Sequence, residues 1–196
     1  AYAVDSDQKI LDFAKNNFQS SMSKDELKRV KLLKGDSKLL KTPKVDCVSA
    51  FNFSYWVFKE RTNLIKYFKN AYKNLKSNGL LMLDAFGGYE AHQELEERTD
   101  HKKFIYCWDQ SKFNPITNDL TCYIHFEFKD GSSIKKAFEY NWRLWSLPEI
   151  KECLTEAGFK SVDFYMQGWD DDKDEETEEF YKMTSCDADP GWIAYI

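Results

Sequence analysis

The sequence predicts an α/β fold with a doubly wound, mostly parallel sheet, and three observations predict it. Apolar segments of strand length alternate with amphipathic helical stretches through the first half of the chain, and the connections between them are short. Residues 80–86 are almost continuously apolar, the pattern of a strand covered on both faces. After residue 100 the pattern changes to period two with a hairpin signal, which adds antiparallel strands to the parallel core.

Each element follows in order. Residues 1–4 read as a short apolar strand already under way at Ala1. Asp7 is placed to cap a helix over residues 8–18, where Ile10, Leu11, Ala14 and Phe18 share one face. Residues 30–33 form a second strand ending at Gly35-Asp36, and residues 45–51 a third, set off by Pro43. A long helix over residues 61–76 carries Leu64, Ile65, Phe68, Ala71, Tyr72 and Leu75 as one stripe. Asn78-Gly79 stops it, since glycine tolerates the left-handed conformation, and the strand at 80–86 follows. Strand-helix-strand alternation of this kind implies right-handed crossovers and parallel pairing.

In the second half, residues 104–108, 120–128 and 134–142 read as strands, with Asp130-Gly131 turning between the last two. They make residues 104–145 an antiparallel insertion, placed to cap a substrate site. Ser146-Leu147-Pro148-Glu149 is a capping box opening a helix that ends at Ala157-Gly158. Residues 162–166 are a further strand, and residues 192–196 a terminal one that returns antiparallel. The acidic run at 170–179 lacks the glycine and ligand spacing of a calcium loop and reads as solvated. The whole of residues 1–196 reads as one domain.

Composition narrows the function classes. With 28 Lys and Arg against 33 Asp and Glu, a net charge of -5 argues against a nucleic-acid partner. Lys24, Lys28, Arg29, Lys31 and Lys34 cluster, and read as a solvated face. No stretch approaches the ~20 apolar residues of a membrane span, so no membrane partner is expected. Five cysteines without a CxxC pair suit a reducing compartment, cytoplasmic or organellar, with Cys47 and Cys153 as small core residues. The three histidines have no metal-ligand spacing, so no metal is expected.

Ligands of open parallel sheets bind outside the carboxyl ends of the strands. Asp5-Ser6-Asp7 ends the first strand and Gly35-Asp36-Ser37 the second; Ala50-Phe51-Asn52-Phe53 and Asp84-Ala85-Phe86-Gly87-Gly88 end the next two. Asp5 is placed to accept from a ribose diol and Asp36 from an exocyclic amine such as that of adenine, with Phe51 or Phe53 as a flat wall. The plainer reading is that these acids cap a helix and shape a turn.

The segments Val45-Asp46-Cys47-Val48-Ser49-Ala50-Phe51-Asn52-Phe53 and Leu80-Leu81-Met82-Leu83-Asp84, with the helix end Leu75-Lys76-Ser77-Asn78-Gly79 between them, resemble the centre of class I S-adenosylmethionine-dependent methyltransferases. Phe51-Asn52-Phe53-Ser54-Tyr55-Trp56-Val57-Phe58-Lys59, Asp84-Ala85-Phe86-Gly87-Gly88 and Trp142-Arg143-Leu144-Trp145 resemble a narrower, poorly characterised set of them. The resemblance implies the Rossmann-like methyltransferase fold, S-adenosylmethionine as cofactor and methyl transfer to a small-molecule acceptor. It implies that Asp5 and Ser6 meet the ribose, Asp36 and Ser37 the adenine, and Ala50, Phe51 and Asn52 the methionine end. The family's first strand and glycine-rich turn have no counterpart here, and the resemblance places both upstream of Ala1. The resulting unpaired edge would admit a homodimer.

No catalytic base is fixed by spacing, and methyl transfer from a sulfonium can proceed by orientation alone. Tyr55, Tyr89 and His92 follow strand ends and are placed to line the mouth, while Trp142 and Arg143 lie in the aromatic insertion. Arg143 is suited to clamping a carboxylate or phosphate, or equally to a structural ion pair. Two other classes remain open at this point: a non-catalytic binding module of the same fold, and a nicotinamide-dependent reductase, against which the antiparallel ending counts.

Overall fold

A computed structural model of the chain describes residues 1–170 and 175–196. The elements run in this order: β1 (Tyr2–Asp5), α1 (Gln8–Ser21), α2 (Lys24–Arg29), β2 (Lys31–Lys34), β3 (Val45–Ala50), α3 (Arg61–Asn74), β4 (Leu75–Gly87), β5 (Leu95–Asp100), β6 (Phe104–Asn114), β7 (Asp119–Phe128), β8 (Ser133–Arg143), α4 (Leu147–Ala157), β9 (Phe164–Asp170), β10 (Glu175–Met183) and β11 (Trp192–Tyr195). Short 3-10 turns occupy Ser54–Val57 and Glu90–His92.

The strands form three sheets where the sequence suggested one principal sheet. β1 and β2 pair in parallel as a two-stranded unit. The main sheet has the order β10-β9-β11-β4-β3, in which only β3 and β4 are parallel. β5 to β8 form an antiparallel meander, one strand larger than expected because Leu95–Asp100 pairs along β6. A mostly parallel sheet is therefore a correction: among the described residues no ladder joins β1 to β3, and β11, β9 and β10 all add antiparallel. The solvated loop expected at 170–179 is also corrected. β9 reaches Asp170 and β10 starts at Glu175, paired with it; residues 171–174 of that run lie outside the described residues.

Local chemistry accounts for the helices. Asp7 accepts from the Lys9 amide at 2.8 Å and caps α1. Ser23 and Glu26 form a capping box on α2, a helix the sequence pattern did not single out because none of its residues is buried. Ser146 and Glu149 form the expected box on α4, which ends on left-handed Gly158 at φ 112°. α3 stops at Asn74, two residues before the expected end, because Leu75 already enters the ladder opposite Val45.

The core lies between one face of the main sheet, α3 with α4, and the foot of the meander. Leu83 and Ala85 from β4 meet Leu64, Ile65 and Phe68 from α3 and Ile150, Cys153 and Leu154 from α4. Trp56, Trp142 and Trp145 close it at the meander end. The opposite face is bare, against the expectation from the apolar run: Leu80 is 65% exposed and Met82 42%, with Phe51, Tyr165 and Tyr195 also exposed. Cys153 is buried as expected, but Cys47 is exposed, since β3 is an edge strand. Burial also pushes the Cys122 thiol up to about 12. A thiol reagent at neutral pH should accordingly label Cys47 and Cys186 in the native protein and spare Cys107, Cys122 and Cys153 until it unfolds. Mass spectrometry of the labelled peptides checks this, and rapid native labelling of Cys153 would contradict the packing of α4.

The β1–β2 unit hangs on α3. Asn70 donates to the carbonyls of Ser37 and Leu40, both at 2.8 Å, and Asn74 donates to Leu40 at 3.0 Å. Lys38 lies over the Phe58 ring at 5.3 Å. These contacts tie the segment after β2 to the last turn of α3 and to Phe58 beyond β3.

Candidate functional site

The expected residues fall into two groups. Asp5 and Asp36 end paired strands, since Asp5 lies opposite Lys34 and its carbonyl accepts from the Gly35 amide at 3.0 Å. One carboxylate oxygen of Asp5 accepts from the Asp7 amide at 2.7 Å. No partner binds its other oxygen among the described residues. Asp36 Oδ1 accepts from the Lys38 amide at 2.8 Å, closing the turn, and its Oδ2 lies 3.6 Å from Lys38 Nζ. Ser6 sits in the bend between strand and helix. Ser37 presents its carbonyl to Asn70. The plain roles of both acids are thus real, yet each carboxylate stays at least partly open to solvent.

The second group follows β3. Ala50 pairs with Leu83, and Phe51 turns onto the bare face, edge-on to Tyr195 with ring centroids 5.8 Å apart. Asn52 and Phe53 are both left-handed, at φ 57° and 55°, without being glycine. Two such residues in succession need compensation, and Asp84 supplies it. Its carboxylate accepts from the Asn52 amide at 2.7 Å and from the Phe53 amide at 2.9 Å. Burial raises the Asp84 carboxyl above its ordinary value, and the two backbone donors pull it back down. Asp84 was visible in the sequence only as the end of an apolar strand. The signal that marks it is a carboxylate inside such a run, which needs donors when buried.

Phe53 points the other way, into the core. It meets Trp56, Phe86 and Trp142 at centroid distances of 5.5, 4.8 and 5.9 Å. Tyr55, expected at the mouth, is 1% exposed; its hydroxyl donates to the Asp84 carbonyl at 2.8 Å, and burial pushes its ionisation far up. Trp142 is 4% exposed, so its ring belongs to the core. Arg143 donates to the Lys59 carbonyl at 3.1 Å and to Glu149 at 2.9 Å, and lies 3.9 Å over the Trp145 ring. Its guanidinium ties the meander to α4, the structural alternative to an anion clamp.

Tyr89 and His92 remain exposed beyond β4. His92 Nδ1 lies 3.1 Å from the Gly88 carbonyl. A carbonyl only accepts, so Nδ1 is the donor in this bond. The His92 ring stands edge-on to Phe113 at 5.0 Å. The aromatic face of the meander begins at the same rim, where Phe86 meets Trp108 at 6.2 Å and Tyr140 stacks on Trp142 at 4.4 Å. No cluster of three metal-ligating side chains occurs among the described residues. No helix there is long and apolar enough to cross a membrane.

Comparison with solved structures shows a Rossmann-like methyltransferase fold. A S-adenosylmethionine-dependent methyltransferase from Clostridium acetobutylicum ATCC 824 superposes with a TM-score of 0.65 at 21% identity, over 99% of this chain and 73% of that one. The CcbJ methyltransferase from Streptomyces caelestis gives 0.68 at 13% identity, over 99% and 72%. CalS10 from Micromonospora echinaspora, an amino pentose methyltransferase solved with S-adenosylmethionine bound, gives 0.63 at 12% identity, over 99% and 72%. No protein-family model and no curated protein matches the chain.

Proposed function

We propose that the chain is a methyltransferase-fold protein whose site takes S-adenosylmethionine and transfers its methyl group to a small-molecule acceptor. The observation that carries this reading is the set of strand ends: the open carboxylates of Asp5 and Asp36 after the paired β1 and β2, and the pinned turn after β3. In a fold shared with cofactor-bound methyltransferases, those positions suit the ribose diol, the adenine amine and the methionine end in turn. Asp5 and Ser6 would hold the ribose, Asp36 and Ser37 the adenine, and Ala50, Phe51 and Asn52 the remainder. β1 and β3 each keep one unpaired edge among the described residues.

The cofactor, when bound, supplies a methyl group on a sulfonium, which is already activated. The protein's share is orientation: fixing the acceptor in line can supply about 7–11 kcal/mol of the barrier. Tyr89 and His92 border the open mouth, with Trp142 as a wall behind Phe53 and Arg143 holding the meander in place.

Calorimetric titration with S-adenosylhomocysteine tests this reading. The Asp5→Ala variant should bind about tenfold or more weakly, the usual consequence of losing hydrogen bonds to a charged acceptor. Equal affinity in the variant would overturn the ribose assignment, and binding by neither protein would overturn the cofactor.

A further inference from the structure

We infer that Asp84 is a positioning residue for the cofactor-facing turn, holding Asn52 and Phe53 in their left-handed conformation before any ligand arrives. The inference rests on the reading above for what the turn contacts, and on geometry alone for the turn itself.

Residue 84 grips the turn at two points. Its carboxylate takes both amides at the start, and its carbonyl takes the Tyr55 hydroxyl one residue into the 3-10 turn. Between these points the Trp56 amide donates to the Phe53 carbonyl at 2.9 Å, closing the loop on itself. Asp84 is 7% exposed, so these bonds are made largely out of competition with water. The left-handed pair reverses the chain so that consecutive side chains diverge: Phe53 enters the core, and Asn52 stays exposed beside Phe51. Without the carboxylate, two non-glycine residues would relax toward ordinary φ, and Asn52 would leave its place at the rim.

The role requires a carboxylate specifically. An asparagine offers one acceptor oxygen, and its NH2 group would face a backbone N–H. Asp84→Asn should therefore release at least one of the two amides, whereas Tyr55→Phe removes the second grip and leaves the carboxylate intact. Amide hydrogen exchange of Asn52 and Phe53 reads the turn directly. Protection of at least one should fall by about tenfold or more in Asp84→Asn and stay within about threefold in Tyr55→Phe. Calorimetry with S-adenosylhomocysteine, run on both variants, should show affinity lost in step with that protection and not with the melting temperature.

Unchanged protection in a folded Asp84→Asn protein would overturn the inference. So would affinity that tracks the melting temperature across both variants. If the unmodified chain gives no heat with S-adenosylhomocysteine, the proposed cofactor falls, while the exchange data still decide whether Asp84 holds the turn. Should Asp84→Asn fail to fold, exchange in the unmodified protein decides: Asn52 and Phe53 amides no better protected than those of exposed turns would overturn it.

Discussion

Replacing Trp56 with alanine should cost about 3–5 kcal/mol of stability, the range for a fully buried large aromatic. Trp56 is 0% exposed and joins three parts of the molecule: Phe53 of the turn, Phe86 at the end of β4 and Trp142 of the meander, at centroid distances of 5.5, 4.8 and 6.0 Å. No single neighbour can move into the space without abandoning the other two, so the cavity persists and the loss falls toward the upper end. Denaturant unfolding measured by far-UV circular dichroism checks the figure. A cost under about 1 kcal/mol would mean that the meander is not docked on the main sheet as described. Trp56→Phe should recover part of the loss, because it keeps contact with Phe86 while leaving the outer part of the indole space empty.

Gly88→Ala should be similarly severe. Gly88 has φ 108°, and a Cβ there would lie 2.2 Å from the Pro190 carbonyl oxygen and 2.8 Å from that of Asp189. The obstacle is backbone, and it is itself anchored: the Tyr89 amide donates to the Asp189 carbonyl at 3.2 Å and the Glu90 amide to the Pro190 carbonyl at 3.0 Å. Positive φ costs an alanine about 1–2 kcal/mol, and each displaced hydrogen bond about 1 kcal/mol more. A total of roughly 3 kcal/mol is expected. Because Trp192 packs on neighbouring Gly87 and begins β11, the variant should also loosen the pairing of β11 with β4. Hydrogen exchange at Ala194 and Tyr195 reads that effect. Normal protection there, with a normal melting temperature, would show the segment yielding freely.

These two sites illustrate what was legible in the sequence. Helical period and capping residues marked α1, α3 and α4, because they report local chemistry that any tertiary context keeps. The hairpin at Asp130-Gly131 was equally local, with Gly131 at φ 85°. Sheet membership was not, since a parallel strand looks the same whether its neighbour is present or missing. The apolar run of β4 therefore suggested two covered faces, although Leu80 and Met82 are exposed. β5 escaped notice because Leu-Glu-Glu-Arg-Thr-Asp has almost no apolar side; it forms by backbone pairing with β6, braced by Arg98 between Glu96 and Glu127.

The same contrast holds at the site. Strand-end acids were findable because their position follows from strand order. Asp84 was not, because its importance comes from Asn52 and Phe53, 32 and 31 residues earlier, taking an unfavourable backbone conformation. Conversely Tyr55 and Trp142 looked available to a ligand as sequence, and packing turned both inward.

The suspension of the β1–β2 unit from two asparagines gives the molecule unequal cooperativity. Eight buried apolar side chains of α3 and β4 anchor the main sheet, whereas the segment from β1 to β2 contributes only Leu11 of α1 to the buried set. It should open sub-globally at a fraction of the free energy needed to unfold the rest. Its strand ends would nonetheless supply one half of a ligand's contacts, and the turn after β3 the other half. A molecule spanning both would bind only while the weaker unit is closed, so its binding energy would appear as added stability of that unit first. Occupancy would then merge two unfolding steps into one, with the ligand acting as a thermodynamic bridge between halves that the chain itself joins only lightly.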